Sequence, residues 1–180
     1  MVYVLFENGF EMCEALSPVD ILRRGGVDVK TVGVSGAEIK SSHGVCIKTD
    51  IVLSDVSLGD MEMLLIPGGQ PGVDNLWANE SVRALVSSAY EKKIPISAIC
   101  AAPMILARLG MLDGKRCVCY PSCAEELARG NYVENTGVVE DGQFITARAA
   151  GDALDFSFAV LKKLRGERAA LRVAESICRE

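Results

Sequence analysis

The sequence predicts an α/β fold in which a mostly parallel sheet is covered by helices on both faces. Short apolar runs alternate along the chain with longer stretches of helical periodicity. Several of the short runs are apolar at every position, which is typical of strands buried on both faces. This alternation implies βαβ crossovers and hence parallel strands. No repeat or linker interrupts residues 1–180, which we interpret as a single domain.

The elements of the N-terminal half follow from local patterns. Residues 39–53 alternate in polarity around a glycine turn, which predicts an antiparallel excursion from the main sheet. The predicted elements in order are a strand at 2–6, a turn at Asn8-Gly9, a helix ending near "LRRGG", a strand at 27–34, the excursion, a strand at 63–69 and an amphipathic helix at 80–93.

The C-terminal half continues the same alternation. The sequence "EDGQ" at 140–143 predicts the turn of a hairpin. The predicted elements in order are a strand at 94–99, a helix at 101–110, a strand at 116–120, a helix with Ser122 as its N-cap, the hairpin, a long helix from near Asp152 and a last helix at 167–178.

Composition argues against several classes of protein. The net charge of −5 and pI near 5.0 disfavour a nucleic-acid or anionic-membrane surface. The basic cluster "KKLRGER" is interpreted as a solvated helix face. The longest uncharged run, 94–107, is too short to span a bilayer. The N-terminus has no basic region before its apolar residues, so it does not resemble a signal peptide.

The seven cysteines suggest reduced thiols in a cytoplasmic protein. Their number is odd, and a chain of 180 residues does not need disulfides to build a core. Cys117, Cys119 and Cys123 lack the spacing of a zinc site, so we expect structural thiols and no metal or other cofactor. Cys123 follows what is predicted to be the next strand of the sheet. It is therefore expected near Cys100, with a regulatory disulfide as a secondary hypothesis.

Cys100 is the main candidate for chemistry. Ligands of parallel sheets bind beyond the carboxyl ends of the strands, where the loops "ENGFEMCE", "PGGQPG" and "CAAP" would meet. A thiol between a strand and a helix has the position of a nucleophile elbow. Backbone N–H groups and the helix dipole there are expected to lower the cysteine pKa below its usual ~8.5.

The partners of Cys100 are less defined by the sequence. Glu7, Glu11 and Glu14 are all candidates for a carboxyl beside the thiolate, and spacing alone does not choose among them. Such a carboxyl would be protonated near neutrality. The N–H groups of Gly68, Gly69 and Ala101 are candidates for an oxyanion hole.

The single histidine limits the chemistry. His43 lies next to a turn glycine and is interpreted mainly as a polar turn residue. A Cys-His-acid triad would require it to fold into the site, so peptidase or amidase chemistry is the least favoured reading.

The chain resembles the ThiJ/PfpI superfamily, in the branch of the parkinsonism-associated protein deglycase and its bacterial relatives. The resemblance covers nearly the whole length. It rests on "GFEMCEALSPVDILRRGG" (9–26), "LLIPGG" (64–69), "AICAAP" (98–103) and "TARAAGDALDFSFAVL" (146–161).

The resemblance implies a flavodoxin-like three-layer sandwich, usually a homodimer. It assigns the nucleophile to Cys100 and the acidic partner to Glu14. Apart from the resemblance, Tyr120, Arg24 and His43 are candidates for residues that support this pair. The implied activity is cofactor-free glyoxalase or deglycase chemistry on methylglyoxal-like dicarbonyls. Some members act instead as redox sensors or chaperones, which is the non-enzymatic alternative.

Two departures from the family pattern affect the site. Some members carry a histidine where this chain has Tyr120, and a phenol with a pKa near 10 cannot replace imidazole as a base at neutral pH. The glycine-proline-glycine that usually precedes the long helix reads "AAG" (149–151) here.

Overall fold

The computed structural model describes residues 1–179 and contains eleven strands and six α-helices within that range. The strands are β1 (Val2–Phe6), β2 (Val29–Gly33), β3 (Glu38–Lys40), β4 (Cys46–Lys48), β5 (Ile51–Val52), β6 (Met63–Ile66), β7 (Ile96–Ile99), β8 (Arg116–Cys117), β9 (Asn131–Tyr132), β10 (Val138–Asp141) and β11 (Phe144–Ala147). The helices are α1 (Met12–Arg24), α2 (Gly72–Ala78), α3 (Glu80–Glu91), α4 (Pro103–Arg108), α5 (Ala153–Arg165) and α6 (Glu167–Ser176).

Seven strands form the central sheet in the order β10-β11-β7-β6-β1-β2-β5. Every neighbouring pair is parallel except β10 with β11, which form the predicted hairpin. Residues 39–53 include the predicted antiparallel pair β3 and β4, but they also contain β5, which pairs parallel with β2 at the sheet edge. The predicted three-layer α/β architecture is confirmed.

Side chains of the sheet divide between two hydrophobic layers. In β1, Tyr3 and Leu5 pack with α3 and α4, whereas Val2, Val4 and Phe6 pack with α1 and α5. All five are buried, because a central parallel strand is covered on both faces. This is why the run "VYVLF" is apolar throughout rather than alternating.

Around residues 70–127, two predicted elements differ from the structure and one helix is not predicted. The strand predicted at 116–120 is only β8, which pairs with β9 in a separate two-stranded sheet. The helix predicted from Ser122 is a 3₁₀ helix, Pro121–Leu127. Helix α2 is not predicted at all, because it has only seven residues and follows a Gly- and Pro-rich loop.

No helix within residues 1–179 combines the length and apolar character needed to cross a bilayer.

Candidate active site

Cys100 occupies a sharp turn directly after β7. Its φ angle is +65°, a conformation that non-glycine residues rarely adopt and that costs of order 1–3 kcal/mol. Two hydrogen bonds hold this turn: Cys100 N–H donates to Ala147 O (2.9 Å), and Tyr120 N–H donates to Cys100 O (2.8 Å). The predicted backbone geometry of a nucleophile elbow is therefore confirmed. The two hydrogen bonds, one on each side of the turn, hold Cys100 in this strained conformation.

The helix after the elbow is shorter and later than predicted. Helix α4 begins at Pro103 and has six residues, not the ten predicted from Ala101. Proline has no N–H to offer at its first turn. The group that faces the sulfur is the Ala101 N–H, which hydrogen-bonds to Cys100 and favours its thiolate. The stabilisation of the Cys100 thiolate expected from a helix dipole is correspondingly small.

Glu14 is the carboxyl that lies against Cys100. It is 1% exposed, its Oε2 accepts from Gly68 N–H (3.0 Å), and it lies near enough to Cys100 for each group to shift the pKa of the other. The local sequence explains its position. Glu11 is the N-cap of α1 and accepts from Glu14 N–H (2.8 Å), which fixes Glu14 in the first helical turn facing the sheet.

The structure resolves the choice among the three acids of the first loop. The Glu7 carboxyl accepts from Asn8 N–H (2.6 Å) and Ser35 O–H (2.7 Å). Glu11 is engaged as the helix cap. Of the three, Glu14 is the one whose carboxyl acts on the pKa of Cys100.

Burial sets the protonation of this pair. It raises the pKa of Glu14 to about 7, opposed by hydrogen bonds from Cys100, Gly68 and Ala150. Burial also raises the pKa of Cys100, and the neighbouring Glu14 carboxylate raises it further. The expectation that the Cys100 pKa falls is wrong in direction, because desolvation outweighs the single Ala101 N–H. The pair therefore holds two protons below about pH 7 and shares one proton above it.

The three proposed oxyanion donors have different environments. Gly68 N–H already binds Glu14 and therefore positions the acid rather than a substrate. Gly69 N–H has no acceptor among the hydrogen bonds of residues 1–179, and Gly69 and Ala101 both line the cavity in front of Cys100. Gly69 N–H and Ala101 N–H therefore remain the candidate donors to a substrate oxyanion, and of these the Ala101 N–H also acts on the Cys100 sulfur.

An open cavity of about 250 Å³ lies in front of the sulfur. Its walls include Cys100, Ala101, Gly69, Tyr120, Ser122 and Cys123. Tyr120 and Cys123 are thus brought to the site as expected. The reasoning for Cys123 needs correction, since it reaches the cavity through the 3₁₀ helix and not by following a strand of the central sheet.

Two predicted supporting residues are not at the site. Arg24 lies ten residues beyond Glu14 on α1, about 15 Å along the helix, and pairs with Asp20 (2.8 Å). His43 lies exposed between β3 and β4, where its Nδ1 contacts Ser42 Oγ (3.0 Å), and it does not line the cavity. Within this chain, helix and hairpin geometry direct both side chains away from the cavity.

Of the three thiols predicted to be structural, Cys123 lines the cavity and the other two do not. Cys117 and Cys119 are buried, and all seven cysteines are free thiols. Within residues 1–179, no group of three or more His, Cys, Asp or Glu side chains is arranged to hold a metal ion.

Sequence reasoning missed one contributor, Ala150. Its backbone N–H hydrogen-bonds to Glu14 from the 3₁₀ turn Ala150–Asp152, which precedes α5. The sequence signal was the "AAG" in place of the family's glycine-proline-glycine. A backbone amide carries no residue signature, so its role emerges only from the fold.

Comparison with known proteins identifies the family. The model of the DJ-1/PfpI family matches residues 1–163. The chain belongs to the DJ-1/PfpI family. It is 34% identical to Protein dj-1beta of Drosophila melanogaster over 176 residues, covering 97% of this chain and 94% of that protein.

Solved structures of family members superimpose closely on the whole chain. The crystal structure of Drosophila melanogaster DJ-1beta matches with a TM-score of 0.95 and 32% identity, covering 99% of this chain and 97% of that one. The structure described as "Toxoplasma gondii DJ-1, oxidized" matches with a TM-score of 0.92 and 26% identity, covering 99% and 97%.

Proposed function

We propose that this protein is a cofactor-independent glyoxalase or deglycase that acts on methylglyoxal-like 2-oxoaldehydes or their adducts. The observation that carries the proposal is the Cys100–Glu14 pair. A buried carboxyl with a pKa of about 7 lies beside a thiol that lines an open cavity, and each group shifts the pKa of the other. Such a pair supplies a nucleophile and a proton carrier in one unit.

The chemistry begins with the single-proton form of the pair. The Cys100 sulfur attacks the aldehyde carbon, and the resulting oxyanion, held by the Ala101 and Gly69 amides, takes the Glu14 proton. This gives a hemithioacetal. The Glu14 carboxylate then removes the hydrogen from the former aldehyde carbon and returns it to the neighbouring carbon, while the hydroxyl proton passes between the two oxygens.

The product of this shift is a thioester of a 2-hydroxy acid. Water attacks its carbonyl carbon, the carbon–sulfur bond breaks, and the sulfur leaves with a proton shared with Glu14. The net change is the addition of one water to the 2-oxoaldehyde. For an adduct, the same attack would release the amine or thiol that had been modified.

The direct test is the loss of methylglyoxal in the absence of glutathione, with formation of lactate as the second readout. Substitution Cys100→Ser is expected to reduce both to the rate without protein. Cys178→Ser is the matched control, because this thiol is exposed and near the C-terminus. Full turnover by the Cys100→Ser protein would contradict the mechanism.

A second candidate function is a redox sensor or holdase chaperone. The half-buried Cys100 sulfur opens to the cavity, and Glu14 and the Ala101 N–H could stabilise a sulfinate. A related structure is described as oxidized. Mass spectrometry after mild peroxide distinguishes the candidates: oxygen gained at Cys100 together with negligible turnover favours the sensor.

A homodimer is part of the proposal. Leu16 on α1 and Val45 between β3 and β4 are exposed apolar side chains, 37% and 46% accessible. The two regions are adjacent, since Ser42 N–H donates to Phe10 O (2.9 Å) just before α1. Static light scattering at twice the monomer mass is the expected result.

A further inference from the structure

Two thiols share the cavity in front of the elbow. Cys100 and Cys123 both line it, and both are half-buried rather than sealed in the core. They come from different parts of the fold, one after β7 and the other from the 3₁₀ helix Pro121–Leu127. The glyoxalase mechanism uses the first thiol and gives the second no role.

The backbone connects the two cysteines by two successive hydrogen bonds. Tyr120 N–H donates to Cys100 O (2.8 Å), and Cys123 N–H donates to Tyr120 O (2.8 Å). Cys123 is therefore one tight turn from the residue that binds the elbow.

The other five thiols are less suited to react with Cys100. Cys117 and Cys119 are buried, and Cys119 S–H donates to Tyr120 O (3.3 Å). Cys13, Cys46 and Cys178 are exposed and do not line the cavity. Among the sulfurs of residues 1–179, Cys123 is the one that faces Cys100 across open space.

Formation of a disulfide requires the segment that carries Cys123 to approach the elbow. A disulfide needs an S–S distance near 2.05 Å and Cα atoms within about 7 Å. Only Leu127 of the 3₁₀ helix is buried, and long 3₁₀ runs have poorer hydrogen-bond geometry than α-helices. The elbow is fixed by the sheet, so Cys123 is the side that moves.

We propose that Cys123 is a resolving cysteine, which captures the sulfenic acid that a hydroperoxide forms on Cys100 and closes a disulfide across the cavity. In the first step the Cys100 sulfur attacks one peroxide oxygen and keeps it, the O–O bond breaks, and the other oxygen takes up a proton and leaves as water or an alcohol. In the second step the Cys123 sulfur attacks the Cys100 sulfur, the S–O bond breaks, and water leaves.

The disulfide occupies the cavity and blocks the thiol that the proposed function requires. A dithiol reductant reverses it by exchange and returns both cysteines to the reduced state. Hydroperoxide would thus switch the site off reversibly. Formation of the disulfide competes with further oxidation of Cys100 to the sulfinate, which no dithiol reverses.

The test compares wild type with Cys123→Ser after brief treatment with a small excess of hydrogen peroxide. Remaining thiols are alkylated, and the chain is cleaved after Lys and Arg. Cys100 then lies in fragment 94–108 and Cys123 in fragment 117–129. Wild type is expected to give these two fragments joined by a link that dithiothreitol breaks.

The Cys123→Ser protein is expected to lose this link and to gain two oxygen atoms on fragment 94–108. Fragment 117–129 also contains Cys117 and Cys119, so fragment-ion sequencing assigns the linked thiol. Cys13→Ser is the matched control and keeps the link. Because this readout is a mass and not a turnover, failure of the proposed function leaves it intact.

Oxygen gained at Cys100 in wild type without a linked fragment would overturn the proposal. So would a link from Cys100 to any thiol other than Cys123, or a link between two molecules seen as a dimer on a non-reducing gel. A Cys123→Ala protein with the same loss of the link would show that the effect does not depend on the serine hydroxyl.

Discussion

The two sides of the cavity differ in how firmly the fold holds them. The elbow, residues 99–103, follows β7, which lies between β11 and β6 inside the seven-stranded sheet. All four residues of β7 are buried. The wall segment, residues 116–127, leaves a two-residue strand outside that sheet and continues as an exposed 3₁₀ helix. One tyrosine amide joins them, through Tyr120 N–H and Cys100 O.

This difference separates a fixed reactive side from an adjustable one. The elbow carries the nucleophile, backbone strain and the buried acid, so small changes there should have large consequences. The wall segment shapes the cavity and supplies Cys123, so changes there should alter access and oxidation more than the chemical step. The following predictions test that separation, from the largest expected effect to the smallest.

Glu14→Gln is expected to reduce turnover of methylglyoxal by ~10²–10⁴-fold, because the amide cannot carry the proton between carbons. The measurement is the steady-state rate without glutathione. Asp20→Asn is the matched control on the same helix, since Asp20 is exposed and pairs with Arg24. Equal loss in both variants would show that α1 is merely disturbed.

The same Glu14→Gln substitution is expected to stabilise the fold at high pH. The folded pKa of Glu14 is raised from 4.5 to about 7. Burial of this acid therefore costs no stability below pH 4.5, and the free energy of unfolding falls as pH rises from 4.5 through 7. A shift of this size corresponds to about 3 kcal/mol.

Urea unfolding at pH 5 and pH 8 measures this effect. The gain of the Glu14→Gln protein over wild type should be larger at pH 8. A gain that is equal at both values would mean that Glu14 is not the buried acid described here.

Gly68→Ala is expected to lower the free energy of unfolding by about 1–3 kcal/mol and to reduce activity. The added Cβ would lie 2.6 Å from Cys100 Cβ and press against Glu14 Oε2. Gly59→Ala is the control, since its Cβ would meet only Ser57 Oγ at an ordinary 3.6 Å. Unchanged stability and rate in Gly68→Ala would contradict the close packing of the pair.

The wall segment should tolerate substitutions better than the elbow does. Tyr120→Phe is expected to change turnover by less than about twofold, because the Tyr120 side chain is 45% exposed and its contact with the elbow is made by the backbone. Tyr120→Pro removes that N–H and should lower stability by about 1 kcal/mol. A large loss of turnover in Tyr120→Phe would give the phenol a role in the chemistry.

The sequence predicts the central sheet well because its strands have a strong and simple signature. Runs such as "VYVLF" and "MLLI" are buried on both faces, so each residue must be apolar. The hairpin around "EDGQ" is equally clear, as its turn chemistry is local. The same holds for the elbow, since a cysteine between a buried strand and a helical run leaves few alternatives.

The rest depends on interactions distant in the chain. "RCVCY" looks like a sheet strand by composition, but it pairs with β9 and not with the central sheet. The pKa of Cys100 depends on the balance between burial and the Ala101 N–H, which the sequence cannot weigh. The position of Arg24, which pairs with Asp20 away from the cavity, depends on the direction of its side chain on α1, and the order of residues alone does not give that direction.

The central claim is that Cys100 and Glu14 share one proton. The direct measurement is the rate of Cys100 alkylation by iodoacetamide against pH, followed by mass on fragment 94–108 so that the other thiols do not interfere. Wild type is predicted to show a rise with a midpoint near pH 7, where the pair loses its first proton, and Glu14→Gln is predicted to lose that rise. A single ordinary titration near pH ~8.5 in both proteins would contradict the claim.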